Sequence, residues 1–581
     1  MNYSLFDRAR RDVSPVELDL IEGYAQGRIS RRAFVTRGSV LGLSMGVMGA
    51  VIAACGSDKP STTTSAGTTM APGTTMAGGD TTMAPETTAA AGAIKQGGTL
   101  RIATQKPGGP LDPVAMDNLG SYTPVVTSFE YLCGKGEGAA LAPMLATEWK
   151  PNTDGSEWTF TLRKGVKWHD GSPFTSADVV ATLDRLAGSN LKAYIDAGSA
   201  TAKDDLTVVV KLKSPDGQFP YQVSLWNPQS VITPKDYELG TTLDKRPAGT
   251  GPFKLDKYDV ATGATFVRND DWWDGKPFLD KVQFIFSDDI AAQVNGLQAG
   301  EADAALQFSL ASGEALLNDP NFTISSIRGT GHRQLWMNVR DATSPFTDKK
   351  TRQAIALGID RQALIDTLLK GRGDMANDHP IAPAYEFFDS SVPQRKRDVD
   401  KAKALLAETK ALDGKKLTMS VPKLQEIPQL AELLQSQLKD IGLDITLDVI
   451  STDTFYDSWC KVYDSKTEPA GCDGGTDFGI VDYGSRGTPD VYLVKAYATG
   501  EWNSAHYNSP DFNGAVKEYQ AALDLDGRKK AITKVETIAN EDVPYAIPYF
   551  YNALTAYKKN VSGIVASGLG HYYCGHAGFT S

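Results

Sequence analysis

The sequence predicts a mixed α/β protein with more than one β-sheet. The clearest sign is a strand–helix–strand pattern between residues 416 and 449. Residues 416–421 form a strand candidate, and apolar residues then recur at helical spacing up to Leu438. Gly442 is placed to end that helix, and residues 443–449 alternate between apolar and polar, as a half-buried strand does. Two strands joined in this way are expected to be parallel.

Other segments favour the same fold class. Three short stretches have the pattern of strands: 98–103, 157–162 and 206–212. Thr175, followed by Asp178, is a capping-box start for a helix that we expect to run to about Leu186. A second helix is expected over residues 348–370, ended by Gly371. Helices and strands therefore alternate through the folded body.

The length and charge of the chain narrow the class of protein. A chain of 581 residues is too long for one hydrophobic core, and a prior of roughly 150 residues per domain suggests two to four units. The hydrophobic fraction of 41% and the charged fraction of 22% are typical of a soluble globular protein. The net charge of -11 argues against a general nucleic-acid binder, which needs a basic face.

Residues 1–54 have the features of a lipoprotein export signal. Arg31 and Arg32 resemble the pair of a twin-arginine signal, and an uncharged apolar stretch, 38–54, follows them. Small and aliphatic residues then lead to Cys55, as in a bacterial lipobox. We therefore expect Cys55 to be the lipidated first residue of the mature protein. The alternative is a short N-terminal membrane anchor with an ordinary buried cysteine.

The segment that follows Cys55, up to residue 93, has the composition of a flexible tether. It is dominated by Thr, Ala, Gly, Pro and Met, and the tetrad Thr-Thr-Met-Ala recurs at Thr68, Thr74 and Thr81. Such a composition cannot bury enough apolar surface to offset the entropy of ordering. As a flexible coil it would span roughly 35 Å. We expect it to link the lipid to the folded body.

The folded body carries many motifs in a fixed order. They occur at 165–175, 177–179, 249–255, 268–269, 272–273, 275–282, 296–303, 338, 345–346, 352–354 and 359–361. Together they resemble the motifs of extracytoplasmic solute-binding proteins of family 5, the peptide- and nickel-binding class that serves ABC importers. The resemblance runs from about residue 97 to residue 565, nearly the whole mature chain.

The resemblance implies a two-lobed, periplasmic-binding-protein-like fold (type II, cluster C-like) with a hinge-bounded cleft. Lobe I is discontinuous in such proteins. Here it would comprise residues 94–337 and the return segment 552–581, and lobe II would comprise 338–551. The hinge strands are expected near 335–339 and 548–551. A fold of this kind closes around its ligand.

The resemblance also implies ligand-binding residues in lobe II. Asp482 and Tyr483 match a segment that faces the cleft, and in peptide-binding relatives an aspartate there pairs with the amino terminus of the ligand. The alternative is an Asp that only forms a turn at a strand end. Dipeptide binders hold the ligand carboxylate with an arginine after the strand that matches 417–421. This chain has Lys423 instead, which lacks the bidentate fork of arginine.

Four aromatic residues are candidates for lining the cleft, and core packing is the alternative for each: Tyr122, Trp336, Phe455 and Trp459. Asn503 belongs to a loop that resembles one after the cleft strand of lobe II.

Export makes disulfides chemically reasonable. Cys460 and Cys472 lie in one insertion of lobe II, and their pairing would close a loop of about a dozen residues, worth roughly 3 kcal/mol. Cys133 and Cys574 would both lie in lobe I and form the second predicted pair.

The sequence favours a binding protein over an enzyme. The sequence contains neither H-E-x-x-H nor a Walker A pattern. His571, Cys574 and His576 lie close together in the chain, but no cluster of acidic residues accompanies them. We therefore expect no cofactor, no metal and no catalysis. We expect a lipid-anchored monomer on the outer face of the cell membrane. It would pass a solute to an ABC permease, and a short peptide is the favoured class of solute. The alternatives are a sensory or scaffold lipoprotein, a binder of an oligosaccharide, opine or metal chelate, and a cell-envelope hydrolase.

Overall fold

The structure is a computed structural model that describes residues 93–116, 118–412, 415–459, 461–462, 472–473, 477–498 and 502–580. The export signal, Cys55 and the tether lie outside the described residues. So does Cys460, and of Cys472 only the backbone is described. None of the described helices has the length and apolar character needed to cross a membrane.

The described strands, numbered in chain order, are β1 (Ile94–Lys95), β2 (Thr99–Thr104), β3 (Cys133–Lys135), β4 (Leu141–Pro143), β5 (Ala146–Pro151), β6 (Glu157–Leu162), β7 (Ala200–Asp204), β8 (Thr207–Lys211), β9 (Phe253–Asp259), β10 (Gly263–Arg268), β11 (Lys281–Phe286), β12 (Ala304–Ala305), β13 (Phe322–Ile327), β14 (His332–Met337), β15 (Gly373–Met375), β16 (Leu417–Pro422), β17 (Ile445–Ile450), β18 (Lys461–Val462), β19 (Cys472–Asp473), β20 (Phe478–Tyr483), β21 (Tyr545–Ala546), β22 (Tyr549–Tyr551), β23 (Ala553–Lys558), β24 (Val561–Ser562), β25 (Val565–Ala566), β26 (Tyr572–Tyr573) and β27 (Gly578–Thr580).

The described α-helices are α1 (Leu119–Ser128), α2 (Ser176–Ala187), α3 (Phe219–Gln222), α4 (Ile290–Gln298), α5 (Leu310–Gly313), α6 (Lys349–Gly358), α7 (Arg361–Leu368), α8 (Val399–Glu408), α9 (Ile427–Lys439), α10 (Thr452–Trp459), α11 (Asp490–Tyr492), α12 (Pro510–Ala521) and α13 (Leu525–Asp542). Short 3-10 turns occupy Pro228–Ser230, Glu314–Leu316 and Pro345–Thr347, and a π-helical turn occupies Leu493–Tyr497.

Two large mixed sheets organise the molecule. The first has the strand order β13-β23-β12-β2-β11-β10-β9, and a four-stranded sheet, β5-β6-β8-β7, accompanies it. The second has the order β15-β22-β14-β20-β16-β17, with β21 paired to β14. We call the part of the chain around the first sheet lobe I and the part around the second sheet lobe II. Smaller pairings complete the topology: β1-β27-β24, β3-β4, β18-β19 and β25-β26.

The central strands of the second sheet, β14 and β20, are buried on both faces. All six residues of β14 are buried, and Leu335 and Met337 belong to one apolar cluster while Trp336 belongs to another. A strand that is covered on both sides reads as a continuous apolar run. This burial explains why β14 is part of the sheet of lobe II and does not serve as a free connection.

The chain crosses between the two sheets at two short segments. Residues 328–331 connect β13 of the first sheet to β14 of the second, and Asn552 connects β22 back to β23. The predicted hinge strands 335–339 and 548–551 instead fall in or beside β14 and β22, inside the second sheet. The predicted boundary after residue 337 coincides with the end of β14, which pairs along its whole length with β20.

The predicted strand–helix–strand unit is confirmed. Strands β16 and β17 are parallel over six residue pairs, and α9 joins them with Leu430, Leu434 and Leu438 buried. Gly442 follows the helix with a φ of +96°, a conformation that favours glycine. The capping box of α2 is also confirmed, since Thr175 and Asp178 bond each other's backbone and side-chain groups.

One predicted helix is wrong in extent. The segment 348–370 contains two helices, α6 and α7, which are separated at Ile359 and Asp360. The Asp360 side chain accepts a hydrogen bond from the Ala363 N–H and so starts a new helix. Gly371 has a φ of +76° and follows the second helix, as expected.

Candidate functional site

The two lobes contact each other beside the crossings. The Ala139 N–H of lobe I donates to the Ala384 carbonyl of lobe II at 3.0 Å. Gly487 of lobe II lies against the indole of Trp226, and a Cβ atom at residue 487 would come within 2.3 Å of that ring. Glycine at this position lets the lobes approach closely. These contacts place Ala139, Trp226, Ala384 and Gly487 at the boundary between the lobes.

A loop of lobe II after β20 is hydrogen-bonded to the first crossing. The Ser485 Oγ accepts from the Thr330 and Gly331 N–H groups at 3.2 and 3.1 Å. The Thr330 hydroxyl donates to the Arg486 carbonyl at 2.8 Å and accepts from the Arg486 N–H at 2.7 Å. Loop 484–487, which we call the floor loop, therefore lies against the first crossing between the lobes.

Asp482, the predicted partner of a ligand ammonium, is paired with a side chain of the protein itself. It forms an ion pair with Arg333, and it accepts a hydrogen bond from the Tyr551 hydroxyl at 3.2 Å. The Arg333 guanidinium lies 4.3 Å from the centre of the Tyr551 ring, a cation–π contact. Arg333 therefore already supplies the positive charge that Asp482 was expected to take from a ligand.

Arg333 is also held by the segment after β16. Its guanidinium donates to Glu426 at 2.9 and 3.0 Å and to the Gln425 Oε1 at 2.6 Å. Burial opposes ionisation of Glu426, but the charge and hydrogen bonds of Arg333 outweigh it and hold the pKa of Glu426 below its ordinary value. For Arg333 itself, burial acts to lower the pKa, while Asp482 and Glu426 raise it well above the ordinary value.

Sequence reasoning placed the ligand anchor at Lys423, in the same segment. Lys423 is exposed, and its backbone bonds to Ile450 and Thr452. The residues of this segment that reach the charged cluster are Gln425 and Glu426, which were not predicted. A signal was present in the sequence, since Gln425 and Glu426 lie within four residues of the end of the strand that was examined for an arginine.

Tyr483 and Trp336 lie in the core of lobe II. Trp336 has no exposed surface, so its predicted position on a cleft wall is wrong. Tyr483 is 5% exposed and stacks on the ring of His332 at 5.4 Å between centroids. The alternation of β14 and β20 explains this, because Arg333 and Asp482 occupy one face and their neighbours the other.

Phe455 and Trp459 are stacked on each other within the same core. Their ring centroids are 6.4 Å apart, and both side chains are buried. The Trp459 Nε1–H is buried without a hydrogen-bond partner among the described residues. Tyr456 lies against both rings and is half-buried. These aromatics pack beneath the charged cluster and present little surface to a ligand.

Asn503 is a structural residue, contrary to its predicted role in ligand binding. Its amide donates to the Ala498 and Tyr507 carbonyls, and its Oδ1 accepts from the Tyr507 N–H and the Tyr545 hydroxyl. These bonds use both the donor and acceptor sides of the amide, and the residue is 4% exposed. Tyr122 of lobe I is half-buried beside His571, with 5.5 Å between ring centroids.

The predicted Cys133–Cys574 disulfide is not formed in the structure. Both thiols are free and buried, and burial raises the pKa of each, that of Cys574 to about 12. The two cysteines have different surroundings: Cys133 begins a strand paired to β4, whereas Cys574 follows β26. A shared lobe was a necessary condition for pairing but not a sufficient one.

Two surface grooves lie away from the predicted ligand residues. One, of about 660 Å³, runs between α12 and α13, and the other, of about 460 Å³, lies beside residues 319–322 of lobe I. Within the described ranges, no group of three or more His, Cys, Asp or Glu side chains is placed to hold a metal ion. The arrangement is that of two lobes joined by two short crossings, which defines a class of two-lobed binding proteins.

The chain belongs to the bacterial extracellular solute-binding proteins of family 5. The model for the middle part of that family matches residues 140–504. An oligopeptide-binding protein of Bacillus subtilis, AppA, is 25% identical over 511 residues, which are 81% of this chain and 90% of the relative. The dipeptide-binding protein of Escherichia coli is 24% identical over 74% of this chain and 85% of its own length. Heme-binding protein A of Haemophilus influenzae is 25% identical, with coverages of 74% and 83%.

Solved structures show the same two-lobed fold. HbpA2 from Haemophilus parasuis aligns with a TM-score of 0.72 and 22% identity over 83% of this chain and all of that chain. AppA from Bacillus subtilis, in complex with a nonapeptide, aligns with a TM-score of 0.61 and 22% identity over 84% and 100%.

Proposed function

We propose that this protein captures a solute between its lobes outside the cytoplasm and delivers it to an ABC permease. The observation that carries the proposal is the pair of short crossings, 328–331 and Asn552, between two lobes whose surfaces meet at Trp226 and Gly487. Two short connections permit closure by rotation about a hinge. A ligand that contacts both lobes favours the closed state, and this difference in affinity needs no chemistry.

A short peptide is the preferred ligand class. The relatives include proteins named for binding oligopeptides, dipeptides and tripeptides, and they span most of this chain. We assign lobe I to 94–327 and 553–580 and lobe II to 332–551, because the sheets divide there. These boundaries differ from the ones predicted from the sequence mainly at the first crossing, where lobe II begins at residue 332 instead of residue 338.

A non-peptide solute is the second candidate, and one contact favours it. The carboxylate expected to hold a peptide ammonium, Asp482, already forms an ion pair with Arg333, a cation that it shares with Glu426. Relatives named for other ligands exist, including a heme-binding protein and the agropinic acid complex of AgaA. A binder of such a ligand would have no use for an ammonium pocket at this place.

We further propose that Cys55 is lipidated after twin-arginine export and that residues 56–93 tether a monomeric receptor to the membrane. The order of the paired arginines, the apolar stretch and Cys55 supports this proposal.

The test is to identify the ligand that remains bound after mild purification. Native mass spectrometry of the full-length protein in detergent, followed by thermal unfolding with a panel of peptides, oligosaccharides, opines and nickel chelates, should yield one class of stabilising solute. Uptake of that solute should fall when the permease is deleted. Turnover of the solute by the protein would contradict the proposal, and unchanged uptake would favour a sensory lipoprotein.

A further inference from the structure

Arg486 occupies the floor loop between the lobes. Its neighbours in the sequence, Ser485 and Gly487, both lie against lobe I: the Ser485 Oγ is within 3.8 Å of a Cβ placed at Gly568, and Gly487 abuts Trp226. The backbone of Arg486 is fixed to the first crossing through the Thr330 hydroxyl. The Tyr385 hydroxyl also donates to the Arg486 carbonyl at 3.1 Å. The position of this residue is therefore set by both the crossing and lobe II.

The guanidinium of Arg486 uses only one of its nitrogens within the protein. Nη1 donates to the Ser485 carbonyl at 2.9 Å and to the Gly484 carbonyl at 3.4 Å. Within the part of the chain that the structure describes, Nε and Nη2 make no hydrogen bond, and the residue forms no ion pair with a carboxylate. Neither atom is among the fully buried polar atoms without a partner, so both remain accessible to solvent.

The unused edge, Nε and Nη2, is the edge that binds a carboxylate through two parallel hydrogen bonds. Arg486 is half-buried, so its charge is partly withdrawn from water without a compensating anion of the protein. The nearby phenols of Tyr385 and Tyr492 are held by backbone carbonyls and bring no negative charge. Arg333 differs from Arg486 in this respect, because its guanidinium forms ion pairs with Asp482 and Glu426.

We propose that Arg486 is an anion-binding residue at the floor of the cleft and that the transported solute carries a carboxylate there. This inference rests on the proposed function as a solute-binding protein and names the ligand class of its site. It assigns to Arg486 the role that the sequence alone assigned to Lys423.

The test uses ligands in matched pairs that differ only in charge. Mixed-sequence tripeptides are compared with their C-terminal amides, N-carboxyalkyl amino acids with their methyl esters, and digalacturonate with its methyl ester. Binding to the full-length protein in detergent is measured by calorimetry. We expect at least one carboxylate-bearing member to bind and its neutral partner to bind at least ~10-fold more weakly, the scale of a charge-assisted bidentate contact.

The variant Arg486→Gln should weaken the carboxylate-bearing ligand at least ~10-fold and leave the affinity for its neutral partner unchanged, so that discrimination is lost. Arg486→Lys keeps the charge without the fork and should give an intermediate loss. The matched control is Arg397→Gln, since Arg397 is bonded to the Gly358 carbonyl and Asp440 on helices away from the floor loop. Its ligand affinities should equal those of the wild type.

Equal affinity for both members of a binding pair, or full affinity in Arg486→Gln, overturns the anion site while leaving solute binding intact. If Arg486→Gln does not fold, an Arg486→Lys variant that discriminates as strongly as the wild type overturns the bidentate contact. A protein that binds no member of the panel, charged or neutral, contradicts the proposed function itself and the inference with it.

Discussion

Arg333 and Asp482 lie opposite each other on the antiparallel strands β14 and β20, and their side chains form an ion pair. The guanidinium is almost completely buried and also bonds Glu426, so two carboxylates share one cation. Asp482 and Glu426 are only partly exposed, at 23% and 19% of their side chains. The cluster thus links β14, β20 and the segment after β16 within lobe II.

Replacing Asp482 with Asn should destabilise the protein and not merely alter ligand binding. Arg333 would lose one anionic partner and keep Glu426, and the expected loss is about 1–3 kcal/mol in the free energy of unfolding, measured with urea. The matched control is Asp270→Asn, because Asp270 forms an exposed pair with Arg268. That control should change the free energy of unfolding much less, because solvent screens an exposed ion pair. An Asp482→Asn variant of unchanged stability would show that the pair with Arg333 is not maintained in solution.

The free energy of unfolding of lobe I should fall as the pH rises, because the buried Glu130 must then lose its proton. Burial raises the pKa of Glu130 from an ordinary value of 4.5 to about 7, although hydrogen bonds from Trp273, Thr250 and Trp272 oppose the shift. Between these two values the native state holds the proton more tightly than the unfolded chain. The stabilisation is therefore complete below pH 4.5 and is lost as the pH rises through 7, by about 3 kcal/mol in all.

The variant Glu130→Gln should remove this pH dependence. The amide reproduces the neutral carboxyl, because its carbonyl can accept from the indole N–H groups while its NH₂ donates to the Thr250 hydroxyl. Urea unfolding at pH 4.5, 6 and 8 checks this, with the exposed Glu238→Gln as the control. Parallel pH profiles for Glu130→Gln and the wild type would refute the prediction.

Gly487→Ala should hinder closure of the lobes. The new Cβ would lie 2.3 Å from the Trp226 ring, so either the indole or the loop must move. We expect ligand affinity to fall at least ~10-fold and the ligand-induced decrease in the radius of gyration, measured by X-ray scattering, to become smaller. The double variant Gly487→Ala, Trp226→Ala removes the two nearest ring atoms and leaves only the Cβ of residue 226, at 2.8 Å, so it should close more fully than the single variant. Gly514→Ala, where nothing lies within 4 Å, should close normally.

The cysteines of lobe I should behave as buried free thiols. Cys133 and Cys574 are each at most 3% exposed, so a thiol reagent should not label them in the native protein and should label both after denaturation without reductant. Peptide mapping of the labelled, non-reduced protein identifies the sites. Two unlabelled residues in the denatured state would restore the pairing predicted from the sequence. The same map tests the predicted Cys460–Cys472 bond, which would leave those two residues unlabelled.

Membrane attachment should depend on Cys55. The variant Cys55→Ser should move the exported protein from the membrane fraction to the soluble fraction, because no acyl chain can then be attached. Changing Arg31 and Arg32 to Lys should instead retain the unprocessed chain in the cytoplasm. Immunoblots of fractionated cells distinguish the two results. A Cys55→Ser protein that stays in the membrane fraction would indicate the N-terminal anchor as the correct alternative.

Local patterns in the sequence determined much of this protein. The parallel unit of β16, α9 and β17 and the capping box at Thr175 were predicted because each depends on residues close together in the chain. The family motifs, spread over the whole body, predicted the two-lobed fold and the class of function. The export signal and Cys55 are likewise sequence features, and they remain predictions.

Tertiary structure alone decided the partners of the charged residues and the place of the crossings. Arg333 and Asp482 are separated by 149 residues, and no local pattern shows that two strands bring them together. The same holds for β14, which reads like a connection in sequence but is buried on both faces. Burial and long-range pairing depend on which segments meet in the folded chain. The sequence therefore predicted the kind of protein, whereas the fold decided that Asp482 and Glu426 meet Arg333 and that Arg486 lies beside the first crossing.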